Sequence, residues 1–140
     1  MSIDWSKKIT VVDKFISAKE KKLQEIATAR WNEVETPAQV EGYEAFFFTD
    51  KLSISDMVSA SDDIKNAISM GIMTEEETVD WKTASGFIPL KLNDLVTIRL
   101  LLSQRRQALY TKEANIIRLI NLTTNIEEVN QINWNMKLEE

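Results

Sequence analysis

The chain has 140 residues, 44% hydrophobic and 28% charged, the size and balance of one globular domain that buries a core. It contains no histidine and no cysteine, which excludes disulfides and Ser-His-Asp or Cys-His nucleophiles and removes the usual zinc ligands. The formal charge of −5 is uneven: residues 1–31 hold seven basic against four acidic side chains (+3), residues 32–80 two against twelve (−10), and residues 81–122 seven against two (+5).

The acidic middle repels a phosphate backbone, so no nucleic-acid partner is expected. It attracts either the basic flanks within the chain or a basic partner. Acid–base chemistry would fall to a strongly shifted carboxylate or lysine; no enzyme, cofactor, metal or small-molecule substrate is expected. No apolar run reaches the roughly 18 residues of a membrane span. Charges interrupt the segment MSIDWSKKITVVDKF, so it does not read as an export signal and cytoplasmic synthesis is expected.

Residues 9–34 contain neither Gly nor Pro and read as one helix. Ile9, Val12, Ile16, Leu23 and Ile26 form a three-four seam interrupted by Lys19 and Arg30, which leaves open an intermolecular coiled coil or an amphipathic helix packed on the domain. Pro37 ends the helix. AQVEGYEAFFFTD then reads as a hairpin turning near Gly42. Strand alternation sends Ala45 and Phe47 to one face and Phe46 and Phe48 to the other. One helical layer covers one of these faces, so the other needs a second layer or a partner.

Residues 53–70 read as a second helix, acidic outside, with Ser53 as N-cap and Gly71 as its stop. Glu75, Glu76 and Glu77 lack the spacing of a calcium loop and read as a solvated turn. In VDWKTASGFIPL, Val79, Trp81 and Thr83 share one face, as do Ile88 and Leu90, while Asp80, Lys82, Phe87 and Pro89 point away. Ala84-Ser85-Gly86 fits a three-residue hairpin loop, and a lone glycine makes no phosphate cradle. The stretch is expected to be a hairpin anchored by Trp81, not an active site.

Residues 94–122 read as the longest helix, with Asn93 as N-cap. Leu95, Leu102, Leu109 and Ile116 form a seven-residue column, and Arg105 and Lys112 interrupt its companion from Ile98 to Leu119. A short last helix follows in TTNIEEVNQINW, capped by Thr124 with Glu127 or by Asn125 with Glu128. Trp134 is expected to fold back as a lid.

The segments ARWNEVE, FFFTDKLS, VDWKTASGFIPLKLNDL, RRQALYTKEANIIRLI and NIEEVNQINW, spread over residues 25 to 136, resemble a domain of unknown function of tailed bacteriophages and prophages. That domain occurs in short tail proteins and near tail-fibre genes and fibre assembly factors. The Trp-Lys-Thr, Gly and Leu pattern of the hairpin, followed by the long helix, carries most of the resemblance; the turn between Trp31 and the phenylalanines departs from it in lacking a Gly-rich hairpin. The resemblance implies no catalytic residue. It implies a non-enzymatic tail or tail-fibre protein, made in the bacterial cytoplasm and carried in the virion tail, that binds fibre or baseplate subunits. The alternatives are a fibre assembly chaperone absent from the virion and a small acidic inhibitor of a host protein.

The expected fold is α+β and predominantly helical, with long amphipathic helices on small antiparallel hairpins. Residues 1–24 form a helical extension and possible coiled coil, and residues 25–140 a compact domain. Phe46, Phe47, Phe48, Phe87, Ile9, Ile16 and Leu23 are the candidate partner-binding residues, with self-association as dimer or trimer also open.

Overall fold

A computed structural model describes the backbone of residues 5–138 and the side chains of residues 10–138. The class is α+β and predominantly helical, as expected: α1 (Trp5–Glu35), β1 (Ala38–Gln39), β2 (Phe46–Phe47), α2 (Lys51–Ser69), β3 (Val79–Thr83), β4 (Gly86–Leu90), α3 (Leu92–Leu122) and α4 (Ile126–Asn130). Two antiparallel two-stranded sheets pair β1 with β2 and β3 with β4. The chain divides into two compact units, Glu33–Ala108 and the terminal segments Met1–Asn32 with Leu109–Glu140. The expected division near residue 24 falls inside α1, where Leu23 and Ile26 on either side of it pack into one cluster.

In the unit of residues 33–108, Phe47, Met57, Leu95, Ile98 and Leu102 form a continuous core with Val40, Ala45, Ile64 and Leu90. Full burial of a ring such as Phe47 contributes about 1.5–3 kcal/mol by area. α2 presents Ile54, Met57, Ser61, Ile64 and Ile68 at three-four spacing, and the middle three are buried. The Ser61 hydroxyl satisfies itself in this stripe by donating to the Met57 carbonyl at 2.7 Å.

The caps correct two sequence assignments. Asp50, not Ser53, caps α2: its carboxylate accepts the Ser53 N–H at 3.1 Å and the Ser53 hydroxyl at 2.6 Å. Ser53 therefore sits one turn inside, because Lys51 and Leu52 already belong to the helix. Gly71 does stop α2. It has φ +74, where a glycine carries no Cβ penalty, and its N–H and that of Ile72 close back on the carbonyls of Ile68 and Ala67. At α3 the expected Asn93 cap is already helical. Asp94 instead reaches back to the Lys91 N–H at 3.0 Å.

The end of α1 is closed by residues far along the chain. Pro37 stops the helix at Glu35. The Thr49 hydroxyl lies between the carbonyls of Val34 and Thr36, and Arg105 Nη2 donates to the Glu33 carbonyl at 2.9 Å. Thr49 continues the inward set Ala45, Phe47, Thr49, all buried. Arg105 is one of the polar residues that break the apolar column of α3; it caps the end of α1 at the Glu33 carbonyl, which also accepts the Thr36 N–H.

In the terminal unit, Ile26, Ile116, Ile120 and Ile132 form a second core, with Trp134 packed against it as the expected lid. Arg30 donates to Glu113 at 3.0 Å and lies over the Tyr110 ring, so this break in the α1 seam is paired. Lys112, the other break in the α3 column, lies 4.2 Å from the Trp134 ring centroid. Of the two capping alternatives for α4, Asn125 with Glu128 is the one formed: the Glu128 N–H reaches Asn125 Oδ1 at 2.9 Å.

Replacing Asp50 by alanine is expected to cost about 1 kcal/mol in denaturant unfolding at neutral pH. The bonds from Ser53, its hydroxyl first, hold the Asp50 carboxyl below its ordinary 3.8. A depressed folded value stabilises fully above the unfolded value and is lost as pH falls through the folded one. The stability gap between wild type and variant should therefore shrink below pH 3.8; a gap that stays constant into acid contradicts this role.

Candidate functional site

The site grows from the way the two hairpins of residues 33–108 are tied. The register Ala38↔Phe47 and Gln39↔Phe46 leaves the other edge of β2 open to a second partner. That edge meets the tip of the β3–β4 hairpin: the Ala84 N–H donates to the Phe46 carbonyl at 2.8 Å, and the Phe46 N–H donates to Ser85 Oγ at 3.0 Å. The tip is shaped for this by Thr83. Its hydroxyl donates to the Gly86 carbonyl at 2.6 Å and accepts the Ser85 N–H at 3.1 Å. Thr83 and Gly86 are paired across the strands, so the loop has the two residues Ala84 and Ser85 and not the expected three. Gly86 keeps the positive φ, +114, that the turn needs.

Once the hairpins are joined, outward residues of both line one groove of about 350 Å³. Phe48 comes from the residue just after β2, Trp81, Asp80 and Lys82 from β3, Phe87 from β4 and Asp56 from α2. Phe87 is paired across the strands with Lys82, and Asp80 with Pro89. The aromatic lining is open: Phe87 is 68% exposed, Phe48 37% and the neighbouring Phe46 49%. Trp81 is half-buried and belongs to both worlds, packed against the core while it lines the groove. It is a structural anchor as expected, and also a groove residue.

The polar side chains that line the groove are Ser53, Asp56, Asp80 and Lys82. Ser53 lines it, yet its hydroxyl is held by Asp50 as part of the helix cap. Among the described residues no three carboxylates gather as a metal site. Glu76 pairs with Lys91 at 2.7 Å, which lowers the Glu76 carboxyl and raises the Lys91 amine through that bond and the charges it joins. A larger hollow of about 550 Å³ in the terminal unit is lined by Asn115, Leu119, Met136, Lys137 and Leu138, without an aromatic or acidic side chain.

The candidate residues separate clearly. Phe47 is fully buried in its own unit, so the inward of the two aromatic faces is closed to a partner. Phe46, Phe48 and Phe87 are exposed, and the last two share the groove. Leu23 packs on the terminal core, whereas Ile16 and Val12 are 48% and 56% exposed. The α1 seam is therefore core over Leu23 and Ile26 and open over Val12 and Ile16. The side chain of Ile9 lies outside the described residues. Sequence reasoning missed Asp56 and the double role of Trp81. Asp56 stands on the outward side of α2, and only the tertiary contact of α2 with the hairpin gives it a place in the groove.

The profile of a domain of unknown function (DUF4376) matches residues 17–133, and the chain belongs to that family. The match takes in both hairpins and leaves Ile9 and Ile16 outside it. No curated protein and no solved structure matches the chain.

Phe47 and Phe87 should behave as opposites under substitution. Phe47→Ala is expected to lower stability by about 3–5 kcal/mol, as for a buried ring. Phe87→Asp should change it by no more than about 0.5 kcal/mol, as on an open surface. Denaturant unfolding of both variants checks the contrast; a large loss from Phe87→Asp would make that ring part of the fold.

Proposed function

We propose that the protein is a non-enzymatic component of bacteriophage tails that holds a tail-fibre or baseplate subunit through the face formed by Phe48, Trp81 and Phe87. The phage assignment comes from the sequence resemblance. The binding face comes from one observation: an open groove lined by three aromatic rings from two hairpins. Large exposed aromatic residues gathered in one place are what protein interfaces use as anchors, because each ring buries much area at little conformational cost. Burying one such ring contributes about 1.5–3 kcal/mol, so two or three suffice to fix a complex. The groove sits on a unit held by its own core, which supports docking without refolding.

The same face would serve an assembly chaperone that leaves before the virion is complete. Mass spectrometry of purified particles separates the two, since a tail component stays in the particle and a chaperone does not. In phage carrying Phe87→Asp, the protein should remain folded and soluble while its incorporation and fibre attachment fall at least about tenfold, the loss of one anchoring ring. Absence of the wild-type protein from purified virions rejects the tail-component reading, and normal incorporation of the variant rejects this face.

A further inference from the structure

We infer that the groove receives a cationic side chain, an arginine presented by a loop or extended segment of the partner polypeptide. The inference rests on the reading of this face as a partner surface and adds what the partner must bring to it. Three aromatic rings and two carboxylates, Asp56 and Asp80, line the same space. Aromatic faces carry negative potential and attract cations, and carboxylates add to that field. Asp56 and Asp80 are exposed and take part in no ion pair among the described residues. Lys82 opposes them with one ammonium against two carboxylates.

The surroundings tip the balance further. Residues 32–80 carry two basic against twelve acidic side chains, net −10, and α2 exposes Asp62 and Asp63 besides Asp56. An anionic segment is repelled by this field, and an aliphatic one leaves the carboxylates without a partner. A guanidinium satisfies both halves of the lining: it is planar and weakly hydrated, stacks on rings, and presents a fork of donors to a carboxylate. A volume of about 350 Å³ is at the small end of ligand pockets, suited to a side chain and its neighbours.

The test titrates the full chain with capped five-residue peptides, Gly-Ser-X-Ser-Gly, in which X is arginine, citrulline, leucine or glutamate. The readout is the NMR shift of the Trp81 indole N–H, identified by its loss in Trp81→Phe. The arginine peptide should shift this signal saturably, bind at least about tenfold tighter than its uncharged citrulline counterpart, and weaken as salt is raised. The double variant Asp56→Asn, Asp80→Asn should lose about tenfold in arginine-peptide affinity with an unchanged melting temperature. Equal or tighter binding of the leucine or glutamate peptide overturns the inference, as does the absence of any arginine-dependent shift. These outcomes leave the aromatic face itself standing; that face falls only if Phe87→Asp incorporates normally into particles.

Discussion

Phe46, Phe47 and Phe48 follow one another on an extended segment, so alternation must turn Phe47 one way and its neighbours the other. The chain meets this constraint by sinking Phe47 completely into the core of residues 33–108 and leaving Phe46 and Phe48 half open. The same core then receives Ala45 and Thr49, and Thr49 closes the end of α1. A slip of one residue in β2 would bury two rings where there is room for one and expose the cap. Core, helix end and outward aromatic face thus follow from a single register.

Polar groups link that register to the groove. Two hydrogen bonds at the Phe46 backbone, one accepted from the Ala84 N–H and one donated to the Ser85 hydroxyl, hold the hairpins together. Tyr43 ties the first hairpin to α3 by donating to Asp94 at 2.8 Å, and burial together with this bond and the Asp94 charge pushes its hydroxyl up to about 12. Asp94 at the same time accepts the Lys91 N–H at the start of α3. Hydrogen bonds of this kind each contribute modestly, about 0.5–1.5 kcal/mol, but they fix direction, which apolar packing alone does not. They place Phe48 and Phe87 around one space, where separate hairpins would leave each ring isolated.

Much of this was legible in the chain because short-range rules govern it. Alternation in VDWKT and FIPL assigned every inward and outward residue of the second hairpin correctly, and the heptad column Leu95, Leu102, Leu109, Ile116 is buried throughout. What sequence spacing could not supply was contact at long separation. Ser53 and Asn93 are acceptable caps by type, yet Asp50 and Asp94 have the better-placed carboxylates. Arg105 reads as a defect in an apolar column until Glu33 is seen beside it. The α1 seam reads as apolar on both sides of Lys19, but among its described residues only Leu23 and Ile26 find a core to enter. The groove has the same origin: Asp56 and Phe87 are ordinary surface residues of separate elements, and only folding brings them to one place.

The proposed role depends on whether the outward rings, and not the rest of the exposed surface, meet another protein. Hydroxyl-radical footprinting of the free chain and of the chain in purified tails measures this directly, residue by residue. Phe48 and Phe87 should be strongly protected in tails, while exposed Ile72 and Leu122 are oxidised as in the free chain. Equal oxidation of Phe87 in both states would contradict the account.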